Sequence, residues 1–157
     1  MTDFARLMSD YFVKYLAGQK GSGSNTMKTY RDTFVQLLEF MDEKKHIRAD
    51  CIEVDSFSYD IINEFLEYLE KEKRVSISTR NNRLAAIRSF FKYTGYHEPK
   101  YLNISTSIRE ISKKKTEGRQ MNYLSVNAME HFLNSFDKTD HKELRCFCIV
   151  LLLYESG

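Results

Sequence analysis

Through the first hundred positions, apolar residues recur at helical spacing. Phe4, Leu7, Met8, Tyr11, Phe12 and Tyr15 follow the i, i+3, i+4, i+7, i+8, i+11 pattern of a single stripe and predict a helix from about Asp3 to Leu16. The stretch AGQKGSGS that follows reads as a flexible loop. A second helix is predicted over SNTMKTYRDTFVQLLEFM, with Ser24 or Asn25 as its cap and Tyr30, Phe34, Leu37, Leu38 and Met41 as its buried stripe. The third, SYDIINEFLEYLEKEK, opens at Ser58 and buries Ile61, Ile62, Phe65, Leu66 and Leu69. Glu64, Glu67 and Glu70 form its acidic outer face, which should turn away from any polyanion. The fourth, ISTRNNRLAAIRSFFKYTGY, takes Ser76 or Ser78 as cap and buries Leu84, Ile87 and Phe91. A short helix follows Pro99, because proline is tolerated in a first turn. The expected fold is mainly α, a bundle of four or five helices.

Beyond that bundle the periodicity lapses. EISKKKTEGRQ has few apolar residues and reads as a basic linker over residues 110–120, separating a unit at 1–109 from one at 121–157. In the second unit MNYLS predicts a short strand and VNAMEHFLNSF a helix. The run from Cys146 to Tyr154 is apolar throughout, too short for a membrane span and too apolar for a surface helix. It belongs in the centre of a larger domain, so the second unit is expected to be cut short.

Composition agrees with a folded helical chain: 157 residues, 42% hydrophobic, one proline and six glycines. The three cysteines, Cys51, Cys146 and Cys148, are an odd number without ligand spacing, which points to a reducing cytoplasm and no structural metal. Cys146 and Cys148 are read as core residues. No two of the four histidines stand at i,i+3 or i,i+4, the spacings that share a metal on a helix. The N-terminus lacks the long apolar run of a signal peptide.

Charge changes the picture more. The net +2 hides a block at residues 74–119 with eleven Lys/Arg against three Asp/Glu, whereas residues 1–73 carry ten against fourteen. Such asymmetry marks a polyanion-binding surface. In the fourth helix Arg80, Arg83, Arg88 and Lys92 appear without an acidic neighbour. Its first turns hold Thr79, Arg80, Asn81, Asn82 and Arg83: guanidinium groups suit phosphate or guanine, and amides suit adenine edges or phosphate. Ala85 and Ala86 permit close approach to DNA or to another helix. At the start of the second helix, Asn25 and Thr26 lie where backbone amides can receive a phosphate. The competing reading of each arginine is a solvated or intramolecular ion pair, for example with the acidic third helix.

Taken in order, SNTMKTYRDTFVQLLEFM, STRNNRLAAIRSFFKYTGY, the basic linker, NYLSVNAMEHFL and RCFCIVLLLYESG resemble the successive blocks of a tyrosine recombinase of the phage integrase family. The resemblance covers nearly the whole chain. It implies a SAM-like core-binding bundle that lays its fourth helix on DNA, followed by the first strand and helices of an incomplete catalytic domain. It also implies a second DNA contact from Lys28 and Arg31, with Lys113, Lys114, Lys115 and Arg119 following the DNA between two lobes of a clamp.

The family's catalytic arginine, lysine, His-x-x-Arg pair and nucleophilic tyrosine would lie past Gly157. This stretch is therefore expected to bind duplex DNA without cleaving it, and its parent to recombine DNA. Tyr123 and Tyr154 lack the arginine and histidine company that a nucleophile needs. The resemblance further implies no cofactor, other recombinase protomers as partners in a tetramer on paired sites, and a place at the bacterial nucleoid on a mobile element or chromosome. Two alternatives remain beside it: a helical protein-interaction module, and a catalytically inactive recombinase-like regulator that binds DNA.

Overall fold

The first helix is set by Thr2, whose hydroxyl accepts the N–H of Ala5 at 3.2 Å. In this computed structural model, which describes residues 2–19, 23–116 and 124–156, α1 (Asp3–Asp10) continues without a break into a π-wound segment, Tyr11–Gln19. Then come α2 (Ser24–Lys45), α3 (Tyr59–Lys71), α4 (Ile77–His97) and α5 (Leu102–Glu110). Short 3₁₀ turns sit at Ala49–Cys51, Val54–Ser56 and Pro99–Tyr101. Two more helices, α6 (Val126–Asn134) and α7 (His141–Ser156), complete the described chain. It divides into two units, Met1–Thr116 and Glu117–Gly157.

In the first unit the predicted stripes meet. Phe4, Leu7 and Tyr11 pack with Phe34, Leu37 and Met41, with Ile62, Phe65, Leu66 and Leu69, and with Leu84, Ile87 and Phe91. Phe90 is the hub: its ring lies 5.6 Å from Phe4, 5.4 Å from Tyr11, 5.2 Å from Phe34 and 5.3 Å from Phe91, all near edge-to-face. Aromatic pairs at this separation add to the area they bury. Hence α4 is more than amphipathic. Ala86, Phe90, Tyr93, Thr94 and Gly95 are buried as well as the expected stripe, because α2, α3 and α5 all pack on this one helix.

Ser58 and Ser76 cap α3 and α4, accepting from Ile61 and Thr79 at 3.2 Å. At α2 the expectation is corrected. Gly23 stands at the cap position, its carbonyl accepting from Thr26 and Met27, and neither Ser24 nor Asn25 makes a capping bond. Helix α2 ends on a non-glycine residue in the left-handed region, His46 at φ 55°, and Arg74, in the connection from α3 to α4, takes the same region at φ 52°.

In the second unit Ser125 caps α6 by accepting from Ala128 at 3.2 Å. Ring contacts Phe132–Phe136 (5.2 Å) and Phe136–Phe147 (6.3 Å) join α6 to α7. Among the described residues there is no strand; of the predicted strand, residues 121–123 lie outside them, and Leu124 and Ser125 only lead into α6. The core reading of Cys146 and Cys148 is also corrected, since both are exposed, as is Cys51. Two helices touching through a few rings leave most of each surface uncovered, so Leu152 and Leu153 are 70% and 67% exposed.

Candidate nucleic-acid interface

The basic block divides into side chains that bind the protein itself and side chains that remain open. Arg80 belongs to the first kind. It is 5% exposed, and its Nε lies 2.9 Å from Glu70 Oε1 on α3. Its Nη1 donates to Asn81 Oδ1 at 3.2 Å and to the Ser112 carbonyl at 3.4 Å. Asn81 behaves like a neighbouring strand: its Nδ2 donates to the Lys114 carbonyl (2.8 Å), and its Oδ1 accepts the Lys114 N–H (3.1 Å). Glu70 also takes the Lys114 ammonium at 2.7 Å. Together these three side chains fasten the segment after α5 onto the first turn of α4.

Arg83 likewise joins helices. Its Nη1 donates to the Thr29 carbonyl at 2.9 Å and to Thr33 Oγ1 at 3.3 Å, both on α2. Arg88 donates to the main-chain carbonyl of Arg109, near the end of α5. Thr79 is taken up in the cap of α4, its hydroxyl 3.0 Å from that of Ser76. The acidic face of α3 is neutralised from within: Glu64 meets Lys45, Glu67 meets Lys71, and Glu70 meets Arg80 and Lys114.

What α4 leaves open is a stripe of small and polar residues: Ser78, Asn82, Ala85, Ser89 and Lys92, spaced 4, 3, 4 and 3. Ser78, Asn82 and Lys92 are exposed, and Ala85 and Ser89 partly so. Ser89 accepts the hydroxyl of Tyr11, whose burial pushes its pKa far above the ordinary phenol range. Two shallow grooves meet at Asn82. One runs to the start of α2 and is lined by Asn25, Thr26, Thr29, Tyr30 and Ala85. The other is lined by Ser78, Asn81, Lys113, Lys114, Lys115 and Thr116. Neither lining includes a carboxylate.

Of the residues singled out from sequence, Asn25, Thr26, Asn82, Lys113, Lys114 and Lys115 therefore share one surface. Lys28 and Arg31 are exposed but line neither groove, since helical spacing carries them around α2 from Asn25 and Thr29. Arg119 lies outside the described residues. Sequence reasoning missed Thr29, Tyr30, Ser78 and Ser89. Their signal was available in the 4-3-4-3 run of small, polar positions on α4, read as the complement of its apolar stripe. Among the described residues no cluster of metal-ligating side chains occurs, and no helix is long and apolar enough to cross a membrane.

Residues 10–99 match the family model described as the phage integrase N-terminal SAM-like domain. Over 153 residues the chain is 27% identical to a protein of Sinorhizobium fredii named as a putative integrase/recombinase, y4rC, covering 98% of this chain and 46% of that protein. A second S. fredii protein so named, y4rD, is 26% identical, with 98% and 54% covered. The tyrosine recombinase XerC of Staphylococcus aureus is 25% identical over 152 residues, with 96% and 47% covered. The chain thus spans about half the length of the curated relatives it matches. No solved structure gives a significant match.

Proposed function

Since the chain belongs to the phage integrase family through its N-terminal SAM-like domain, we propose that it is the DNA-binding portion of a site-specific tyrosine recombinase and grips duplex DNA for strand exchange. The observation that carries this reading is the carboxylate-free surface around Asn82, where the start of α2, the open stripe of α4 and the lysines 113–115 converge. Small side chains let a phosphate backbone come close, Lys113 and Lys115 neutralise it, and the Asn82 amide can bond a base edge or a phosphate. Arg80, Asn81 and Arg83 hold these groups in place from inside. In the whole protein, the catalytic groups and the other protomers of a recombinase assembly would be supplied outside this stretch.

A titration of the chain into fluorescein-labelled duplex DNA, followed by anisotropy at several salt concentrations, tests the reading. The wild type should bind with a steep negative log-log salt slope. Lys113→Ala/Lys115→Ala should flatten that slope by about 1.8, at ~0.9 for each phosphate that is no longer neutralised. Binding that ignores salt, or a slope untouched by the double substitution, would remove the surface from consideration.

A further inference from the structure

At the far end of α4 the open stripe runs into a cleft of about 500 Å³, within the range of small-ligand sites. Its walls are aromatic. Tyr15 and Tyr93 lie 5.2 Å apart by ring centroids, Tyr93 and His97 lie 4.2 Å apart, and Tyr96 stands edge-on to His97 at 5.5 Å. Lys92 and Arg109 supply its charge, and no carboxylate lines it. Among the described residues neither cation takes part in an ion pair. Arg88, bonded to the main chain of Arg109, adds a third positive group nearby.

Unpaired cations beside clustered, mutually tilted rings offer two things at once, a seat for phosphate and a π-face for a base. That is the chemistry by which proteins hold unpaired nucleotides, a base on an aromatic side chain and its phosphate on lysine or arginine. Lys92 belongs both to the cleft and to the open stripe of α4, so a strand lying along the stripe reaches the cleft without leaving the protein surface. Tyr96, 85% exposed, is the ring best placed to receive a base from solvent.

We propose that this cleft binds an unpaired nucleotide of the DNA, with its base against Tyr96 and His97 and its phosphate on Lys92 and Arg109. The inference rests on the DNA-binding reading above and deepens it: the substrate includes a branched, bulged or melted position as well as plain duplex.

The test compares three labelled DNAs of one sequence by anisotropy: an intact duplex, a duplex with a one-nucleotide bulge, and the same bulge made abasic. Phosphate charge and backbone length match in the two bulges, and the chemical difference is the base. The normal bulge should bind about tenfold more tightly than the abasic one, as expected for one stacked base. Tyr96→Ala, a change at a nearly free side chain, should erase that difference and leave intact-duplex affinity as it was.

Equal affinity for the two bulges overturns the proposal, as does a preference that survives Tyr96→Ala. If intact duplex fails to bind while the base preference stands, the duplex reading falls and the cleft remains. If no DNA binds, both fall. Sedimentation of wild type and Tyr96→Ala covers the remaining occupant: self-association lost with the ring, without base preference, assigns the cleft to a second copy of the chain and overturns the nucleotide.

Discussion

Arg80 and Glu70 face each other at 2.9 Å between α4 and α3, with only 7% and 23% of their side chains exposed. Removing one member of such a pair strands the other charge in poor solvent. Glu70→Ala, which leaves the buried Arg80 guanidinium without a carboxylate, should cost about 3 kcal/mol in urea unfolding, whereas replacing both residues with apolar ones of similar volume should cost clearly less. Equal losses from the single and double substitutions would show that the pair acts through packing alone.

Asn81 should matter for the segment it holds more than for the bundle as a whole. Its two bonds to Lys114 differ in kind, one donated and one accepted. Asn81→Asp keeps the acceptor and loses the donor; Asn81→Ala loses both, at about 1 kcal/mol for each bond. Amide exchange at Lys114 should therefore speed up from wild type to Asp to Ala, whereas duplex affinity should fall in both variants and furthest in Asp, whose carboxylate enters the otherwise carboxylate-free groove. Unchanged exchange in the alanine variant would mean that the segment is held by something else.

Gly95 marks a tight approach of α4 to α5. A Cβ built there would lie 2.7 Å from both Cβ and Oγ of Ser105 on α5. The hydroxyl can rotate away, but Cβ is fixed to the backbone, so α4 and α5 would have to separate. Gly95→Ala should lower stability by roughly 1–3 kcal/mol, and adding Ser105→Gly should restore much of it. Thermal unfolding of the single and double variants checks this.

The acid limb of the stability curve should depend on Asp3. Its carboxylate accepts from Lys100 Nζ at 2.6 Å and from the Tyr101 hydroxyl at 2.9 Å, and these bonds hold its pKa below the ordinary 3.8. A carboxyl depressed in the folded state contributes stability that is present above its unfolded pKa and lost as pH falls through the folded one. Asp3→Asn should therefore lower stability at neutral pH and flatten the decline below about pH 4. A variant whose urea midpoint falls with acid as steeply as the wild type's would dismiss this role.

Much of the bundle was legible in the sequence because burial has a period. The stripes at Phe4/Leu7/Tyr11 and Ile62/Phe65/Leu69 and the caps at Ser58 and Ser76 follow from spacing and side-chain chemistry alone. The site was legible only as a region. Charge counting found the basic block, but whether an arginine faces water or a neighbouring helix depends on packing between elements distant in sequence. Arg83 bonds residues 54 and 50 positions away, and Asn81 bonds one 33 positions away. Nothing local in STRNNR separates Arg80, which is buried, from Asn82, which is open. The loss of the Ser24 or Asn25 cap has a simpler cause: Gly23 takes the extended cap conformation one residue earlier.

The open stripe of α4 has one more property. Positions repeating at 4, 3, 4 and 3 are the seam along which a helix accepts a second helix in a coiled coil. Here the seam is filled by Ser78, Asn82, Ala85, Ser89 and Lys92, none of which makes the large apolar knob that such a zipper needs. A helix so built lacks the interlocking side chains of a zipper, and on the function proposed above the rail it keeps clear takes a DNA backbone instead.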